Sequence, residues 1–454
     1  MHSQSPVTND VTRRDFIRGG SVATLMGLLG GIELRAADAP KAEEAKTANG
    51  TKVKCGIIGL GAWGREIIGT LQRKPSAQIV SVCDTYGVML RRAAANAPGA
   101  TSTEDYRTML EDKSVQAVFV ATPTHQHREI VTAALQAGKH VYCEAPLANT
   151  VEDAKAIAKA ASSAAGQVFQ AGLALRSDPQ RHFLLQFIRT GAIGKNIMAR
   201  SQWHKKQSWR YTSSNADRER EINWRLSKDT SIGLAGEIGI HQIDSMSWLF
   251  KDLPQSVTGF GGLIHWTDGR EVPDTIQAVL EYPGHVQGMY DATLANSFDG
   301  ESDVFLGSDA AVMLRANKAW LFKEVDSPLL GWEVYARKEV FYKETGIVLA
   351  ANASKSGTQN DTGEDAPFTN TPLAWALDAF LINVNEVIGA VEDFTSTFDA
   401  ADKKALAKHV ATLKLQAAAS WKEGLEATVV GIKTNEAILA GKKINFEKQW
   451  FELS

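Results

Sequence analysis

The sequence predicts an α/β protein: an N-terminal domain on a parallel sheet, then an α+β domain with an open, mainly antiparallel sheet. Three observations carry this expectation. From Val53 onward, short apolar runs alternate with helical patterns, the mark of βαβ units. After about Leu175 the rhythm changes to strand-like runs joined by short turns, as in antiparallel sheets. The Ala- and Leu-rich stretch from Leu373 to about Leu439 reads as long helices.

The bulk numbers narrow the function classes. A chain of 454 residues accommodates two or three domains, and 49 basic against 52 acidic residues leave a net charge of −3. No basic field exists to hold nucleic acid or an anionic membrane surface. Cys55, Cys83 and Cys143 each sit in an apolar run. Their odd number and spacing give neither a disulfide framework nor a zinc site, so they read as core thiols and no metal is expected.

The N-terminus is read separately. Arg13-Arg14 stands before Asp15-Phe16-Ile17, followed by a weakly apolar, Gly-rich stretch ending at Ala36-Ala37. This resembles a twin-arginine export signal over residues 1–37, too short and glycine-rich to span a membrane as a stable helix. The expected location is the periplasm or another exported compartment, with no membrane attachment once the signal is removed. Residues 38–52, rich in Ala, Lys, Glu and Thr, read as a linker.

In the first domain, 53–175, the strand candidates are Val53–Ile58, Gln78–Cys83, Gln116–Ala121, His140–Cys143 and Gln167–Ala171. Between them lie helical stretches at Trp63–Gln72, His125–Ala137 and Val151–Ala164, the second stopped by Gly138. In the second domain, 176–454, helices are expected at Pro179–Arg189 and Ile238–Phe250. Its strands are expected at Ile197–Trp203, Val257–Phe260, Gln277–Glu281, Val286–Tyr290, Val304–Leu306 and Val312–Leu314. Ala350–Thr371 reads as a loop, and Ile444–Phe446 as a final strand.

The strongest local signal is Gly59-Leu60-Gly61-Ala62-Trp63-Gly64, between the run ending at Ile58 and an amphipathic helix. In that setting Gly59 makes the tight turn, Gly61 admits a pyrophosphate to the backbone, and Gly64 allows close helix–strand packing. The helix start, with Ala62 and Trp63, offers amide donors and a positive dipole end. The next strand ends in Asp84, where a carboxylate accepts hydrogen bonds from both ribose hydroxyls of NAD and repels the 2′-phosphate of NADP. NADP stays open, because Arg91 and Arg92 lie close by.

The next strand ends in Ala121-Thr122-Pro123-Thr124-His125-Gln126-His127, and a later one in Ala137-Gly138-Lys139-His140-Val141-Tyr142-Cys143-Glu144-Ala145-Pro146. With the glycine run, Gly191–Gly194, Trp203-His204 and Asn435–Ile438, this resembles the family of glucose–fructose oxidoreductase and inositol dehydrogenase, known as Gfo/Idh/MocA. The resemblance implies a Rossmann domain followed by an open-faced sheet domain, with a carbohydrate or polyol between them and a homo-oligomer formed through the sheet. Cofactor contacts are expected at Thr122, Pro123, His127 and Glu144, past strand ends where ligands collect in open sheets, with capping or packing of the helix as the other reading for His125 and His127; the resemblance implies a histidine acid/base preceded by an acid. Gly236-Glu237-Ile238-Gly239-Ile240-His241-Gln242-Ile243-Asp244 matches the last feature. On one helix, Glu237, His241 and Asp244 would share a face. They are the catalytic candidates, together with Glu144.

One departure matters. Where the family carries Glu-Lys-Pro, this chain has Glu144-Ala145-Pro146. The family's lysine contacts the hydroxyl being oxidised, and loss of one such donor costs ~10²–10³ in rate. Three readings stay open. Lys205 or Lys206 replaces the lysine; or transient ring oxidation drives elimination, epimerisation or glycosidic cleavage on a retained cofactor; or the protein binds sugars without catalysis, using Trp203, Trp209, Trp224, Trp248 and Trp266. Arg210 and Arg225 are candidates for binding an anionic group on the substrate.

Overall fold

The computed structural model describes residues 52–315, 318–330, 333, 336, 338–341, 344–349, 370–399 and 401–453. The expected export signal, the linker up to 51, and residues 350–369 of the expected loop lie outside the described residues.

The first sheet is built by β1 (Val53–Ile58), β2 (Ala77–Cys83), β3 (Thr101–Thr103), β4 (Ala117–Val120), β5 (His140–Cys143) and β6 (Phe169–Ala171). Their spatial order is β3-β2-β1-β4-β5-β6, and every pairing is parallel. Helices cover both faces, so β4 and β5 are buried at every position, which is why they read as unbroken apolar runs. The intervening helices are α1 (Ala62–Leu71), α2 (Gly87–Asn96), α3 (Tyr106–Glu111), α4 (His127–Gln136) and α5 (Val151–Ser163). Helix α1 packs Ile67, Ile68 and Leu71 inward, each contributing roughly 1.5–3 kcal/mol of burial. Chain order turns back between β1 and β4, opening a crevice at the carboxyl ends of those strands.

The second part begins with α6 (Pro179–Phe187) and β7 (Asn196–His204), then α7 (Ala216–Ile222), α8 (Gly233–Glu237) and α9 (Ile240–Phe250). Its sheet continues through β8 (Ser256–Gly262), β9 (Thr275–Glu281), β10 (Gln287–Thr293), β11 (Glu301–Gly307), β12 (Ala310–Arg315) and β13 (Lys318–Lys323). It is completed by β14 (Lys338–Phe341), β15 (Glu344–Val348) and β16 (Ile444–Asn445). The order is β14-β15-β13-β12-β11-β7-β10-β9-β8-β16. The β7–β10 pair is parallel and its neighbours are antiparallel. One face packs Ala278, Leu280, Tyr290, Ala292 and Phe305 against Ile243 and Met246 of α9. The opposite face aligns Val279, Met289, Arg200, Val304 and Met313 across five strands.

Three late helices, α10 (Pro372–Thr397), α11 (Lys403–Val410) and α12 (Trp421–Ala440), tie the halves together. Helix α10 is long and apolar enough to cross a membrane by length and composition, with a mean hydropathy of 1.3 over its richest window. Here it returns to the first sheet, where Leu377, Phe380, Leu381 and Val384 join the core of Val53, Ile57, Phe119 and Tyr142. The Phe380 ring lies 5.1 Å from Phe119 and 5.8 Å from Tyr142, both edge-on. A helix from the second part of the chain thus completes the core of the first sheet.

Candidate active site

The glycine turn is shaped by close contacts. Gly59 has φ +91, and a Cβ there would sit 2.7 Å from the Ala121 carbonyl oxygen. A Cβ at Gly64 would meet the Gly59 carbonyl oxygen at 1.9 Å. Around Gly61 there is open space, and no side chain caps α1. The helix therefore presents free amide donors beside exposed Ala62 and Trp63. Asp84 holds the turn from the next strand: its Oδ2 accepts from Leu60 N at 2.9 Å and its Oδ1 from Tyr86 N at 2.9 Å. Each oxygen retains a lone pair for a ribose hydroxyl.

The other end of the crevice gathers polar atoms from the ends of β4 and β5. Thr122 Oγ1, His125 Nδ1 and Glu144 Oε1 are buried and without a protein hydrogen-bond partner. Buried polar atoms are ordinarily paired, so this set fits a bound nicotinamide and its ribose. Burial pushes the Glu144 carboxyl up to about 7, with the Trp63 indole, the Tyr142 hydroxyl and the Ala145 amide pulling against it. Gly172 must be glycine for this carboxylate to lie where it does, since a Cβ would come within 2.7 Å of Glu144 Oε2. The Ala145-Pro146 peptide is cis.

Opposite this end stands Glu237, 7% exposed. Its Oε2 accepts from Thr124 Oγ1 at 3.2 Å, and its Oε1 from Ser231 Oγ at 3.4 Å and Ile232 N at 3.3 Å. Burial raises its pKa; Arg225 and these donors oppose the rise. Arg225 Nε lies 3.9 Å from Oε2, and its guanidinium lies over Trp224 at 4.5 Å and faces Trp209 at 5.9 Å. His241 is half-buried at the start of α9. Burial lowers its pKa to about 4, so the imidazole is neutral at pH 7.

Several sequence expectations are corrected. Glu237, His241 and Asp244 do not share one helix face, because the chain breaks between α8 and α9 at Ile238-Gly239. A Cβ at Gly239 would sit 2.5 Å from the Tyr290 ring. Asp244 is held by Arg176, which binds both its oxygens, Nε to Oδ2 at 2.9 Å and Nη2 to Oδ1 at 2.8 Å. His127 does not offer its ring to a cofactor. It is 1% exposed, and its two nitrogens lie 3.0 Å from the Pro146 and Thr122 carbonyl oxygens; lowered by burial to about 4, the neutral ring donates to one of the two. It fixes the two loops that carry Thr122 and Glu144 instead.

Other candidates are also placed. Arg210 is committed to Glu219 and the Asp268 carbonyl. Trp266 donates to the Leu294 carbonyl, and Trp248 lies under Arg176 at 5.0 Å, so both serve packing. Lys205 and Lys206 are exposed where β7 ends; the cation set beside Glu237 is Arg225. Sequence reasoning missed Thr124, Ser231 and Arg176. The run Thr122-Pro123-Thr124 carried a signal for the first; nothing local marked the others.

Two family models match this geometry in order along the chain. Residues 53–172 match the oxidoreductase family described as an NAD-binding Rossmann fold. Residues 183–312 match the GFO/IDH/MocA C-terminal domain. Levoglucosan dehydrogenase of Pseudarthrobacter phenanthrenivorans is 35% identical over 149 residues, 33% of this chain and 36% of that protein. Inositol 2-dehydrogenase of Rubrobacter xylanophilus is 30% identical over 204 residues, 44% of this chain and 53% of that protein. The 2,7-anhydro-N-acetylneuraminate hydratase of Escherichia coli is 27% identical over 234 residues, 51% and 59% of the two chains. The chain thus spans about half the length, or less, of these curated relatives. Among solved structures, an oxidoreductase domain protein from Kribbella flavida aligns with a TM-score of 0.65 at 21% identity, over 87% of this chain and 100% of that one. Levoglucosan dehydrogenase in complex with NADH aligns with a TM-score of 0.64 at 18% identity, over the same shares, 87% and 100%. With an NAD-binding Rossmann domain and its partner sheet domain both matched in order, the chain belongs to the Gfo/Idh/MocA oxidoreductase family.

Proposed function

We propose that this protein is an exported, NAD-dependent oxidoreductase acting on a sugar, glycoside or cyclic polyol, with its nicotinamide cofactor tightly held. The observation that carries the reading is the convergence of buried Glu237 with Thr124 and Arg225 where β4 ends. His241 stands four residues beyond Glu237. Bound NAD supplies the hydride acceptor. His241, neutral at pH 7, takes the proton of the hydroxyl being oxidised. Glu237, anchored by three donors, orients a neighbouring hydroxyl. Glu144, with its pKa about 7, can exchange a proton at the same end. The substrate class is supported by the named activities of the levoglucosan and inositol dehydrogenases. Asp84 favours NAD; Arg91 and Arg92 keep NADP as the alternative. Export rests on the arginine pair before the apolar stretch. Self-association rests on the in-register row Val279, Met289, Val304 and Met313.

A second reading is favoured by Ala145 and by a relative named as a hydratase. In it, a ring carbon gives up hydride and its hydroxyl proton, which acidifies the neighbouring C–H. A base then removes that proton as the group on the next carbon leaves and takes up a proton (hydration is the same step in reverse), and hydride returns to the oxidised carbon with a proton to its oxygen. The net reaction consumes no nicotinamide.

The test is to unfold the purified protein, identify any released nicotinamide, and then follow sugar conversion against NADH. Stoichiometric bound NAD with NADH formed in step with product supports the oxidoreductase. Bound NAD with product and no NADH supports the redox-neutral cycle. A protein that neither contains nor binds nicotinamide refutes both.

A further inference from the structure

We infer that Lys205–Leu226 is a clasp that reaches from the second domain across the dinucleotide crevice and governs cofactor release, because Arg218 stacks on Tyr86 at one end and Trp224 meets His125 at the other. The inference rests on the nicotinamide reading above.

The two contacts fall on separate loops of the first sheet. The Arg218 guanidinium lies 4.5 Å over the ring of Tyr86, two residues past Asp84. The Trp224 ring stands edge-on to His125 at 6.1 Å, three residues past Thr122. A dinucleotide on a doubly wound sheet crosses the carboxyl ends of the strands, with adenosine near the acid after the second strand. Nicotinamide then falls toward the ends of β4 and β5. A segment touching both loops spans that path.

The segment is stiff within itself and lightly attached. Asn223 Oδ1 accepts from Tyr211 N at 2.8 Å, and its Nδ2 donates to the Tyr211 and Glu219 carbonyls at 2.8 Å each. Glu219 accepts from Arg210 at 2.9 Å and from Ser213 N at 3.3 Å. Its root is fastened to the second domain, where Arg210 donates to the Asp268 carbonyl at 2.7 Å and Arg270 donates to the Ser208 carbonyl. Helix α7 buries no residue. Among the described residues, no hydrogen bond joins this segment to the first domain. What holds it there is ring stacking, and stacking of this kind is weak enough to open and close. The fold therefore places a small swinging unit over the dinucleotide crevice, hinged at Ser208 and at Leu226, whose carbonyl accepts from Glu271 N at 2.8 Å.

The test uses the full chain loaded with NADH and chased with excess NAD, with released NADH followed by its fluorescence. Arg218→Ala and Tyr86→Ala each speed release by about tenfold, the loss of one partly desolvated cation–π contact. The double variant releases no faster than the faster single one, since both remove the same contact. Trp224→Ala speeds release as well, and hydrogen exchange in 216–222 slows when NADH binds. Unchanged release in all three single variants, with wild type still retaining NADH, overturns the clasp and leaves the cofactor reading standing. A wild-type protein that binds neither NAD nor NADP overturns both.

Discussion

Asp244 lies one helical turn past His241, yet its carboxylate is held by Arg176, so removing it tests structural against catalytic assignment. The Asp244 side chain is 5% exposed and that of Arg176 15%, with two hydrogen bonds under 3.0 Å. Deleting one partner of such a pair strands the other charge and costs about 3–5 kcal/mol. Glu423 and Glu426 also attract Arg176, and its guanidinium keeps Trp248 beneath it. The cost of Asp244→Ala therefore falls near the lower end, ~3 kcal/mol. Replacing both partners by apolar residues, Arg176→Met with Asp244→Leu, removes the stranded charge and costs ~1 kcal/mol or less. Urea unfolding by tryptophan fluorescence gives the stability. Turnover per folded molecule, measured beside it, should stay within a few-fold of wild type. A stable Asp244→Ala protein that has lost turnover a hundredfold would refute this reasoning and return Asp244 to the catalytic group.

Three further outcomes are expected. His241→Ala lowers turnover by ~10²–10⁴ without changing NADH retention; in wild type, the acid limb of the rate profile should lie below pH 6.5, as burial depresses this imidazole to about 4. Gly64→Ala drives a methyl group to 1.9 Å from the Gly59 carbonyl, so bound nicotinamide should be lost from the purified protein; normal retention would contradict the turn geometry. Buried His127 and His140 have pKa values lowered from 6.5 to about 4. The unfolded chain binds these protons first, so their contribution is complete above pH 6.5 and is lost as pH falls toward 4. Each is worth ~3 kcal/mol at most. His140 Nδ1 accepts from Val168 N, so His140→Asn keeps an acceptor there and should flatten the acid slope of a pH series of unfolding midpoints.

The parts of the fold governed by local pattern were legible. The extent of β1 and β5 is as expected, and the glycine turn lies between β1 and α1. The edge strand Thr101–Thr103 was missed because it is short, polar and partly exposed, so no apolar alternation marks it. Helix α9 was expected to start at Ile238, but Ile238 takes non-helical backbone angles and the helix starts at Ile240. The pairing of Arg176 with Asp244 joins residues 68 apart in sequence. No spacing rule reveals such a partner. Glu237 was legible from its place before His241, but its anchoring by Thr124 comes from 113 residues away.

Helix α10 sets an order on synthesis. Helix α1 covers part of the apolar face with Ile67, Ile68 and Leu71, but the part around Phe119 and Tyr142 is completed only when Leu377, Phe380 and Leu381 have been made. While more than two hundred residues of the second part are emerging, the nascent first sheet carries an exposed greasy surface, the condition under which chains aggregate or recruit chaperones. A ribosome-bound chain stopped before Pro372 should therefore be protease-sensitive in its first 175 residues, and gain resistance only after Thr397 has left the exit tunnel.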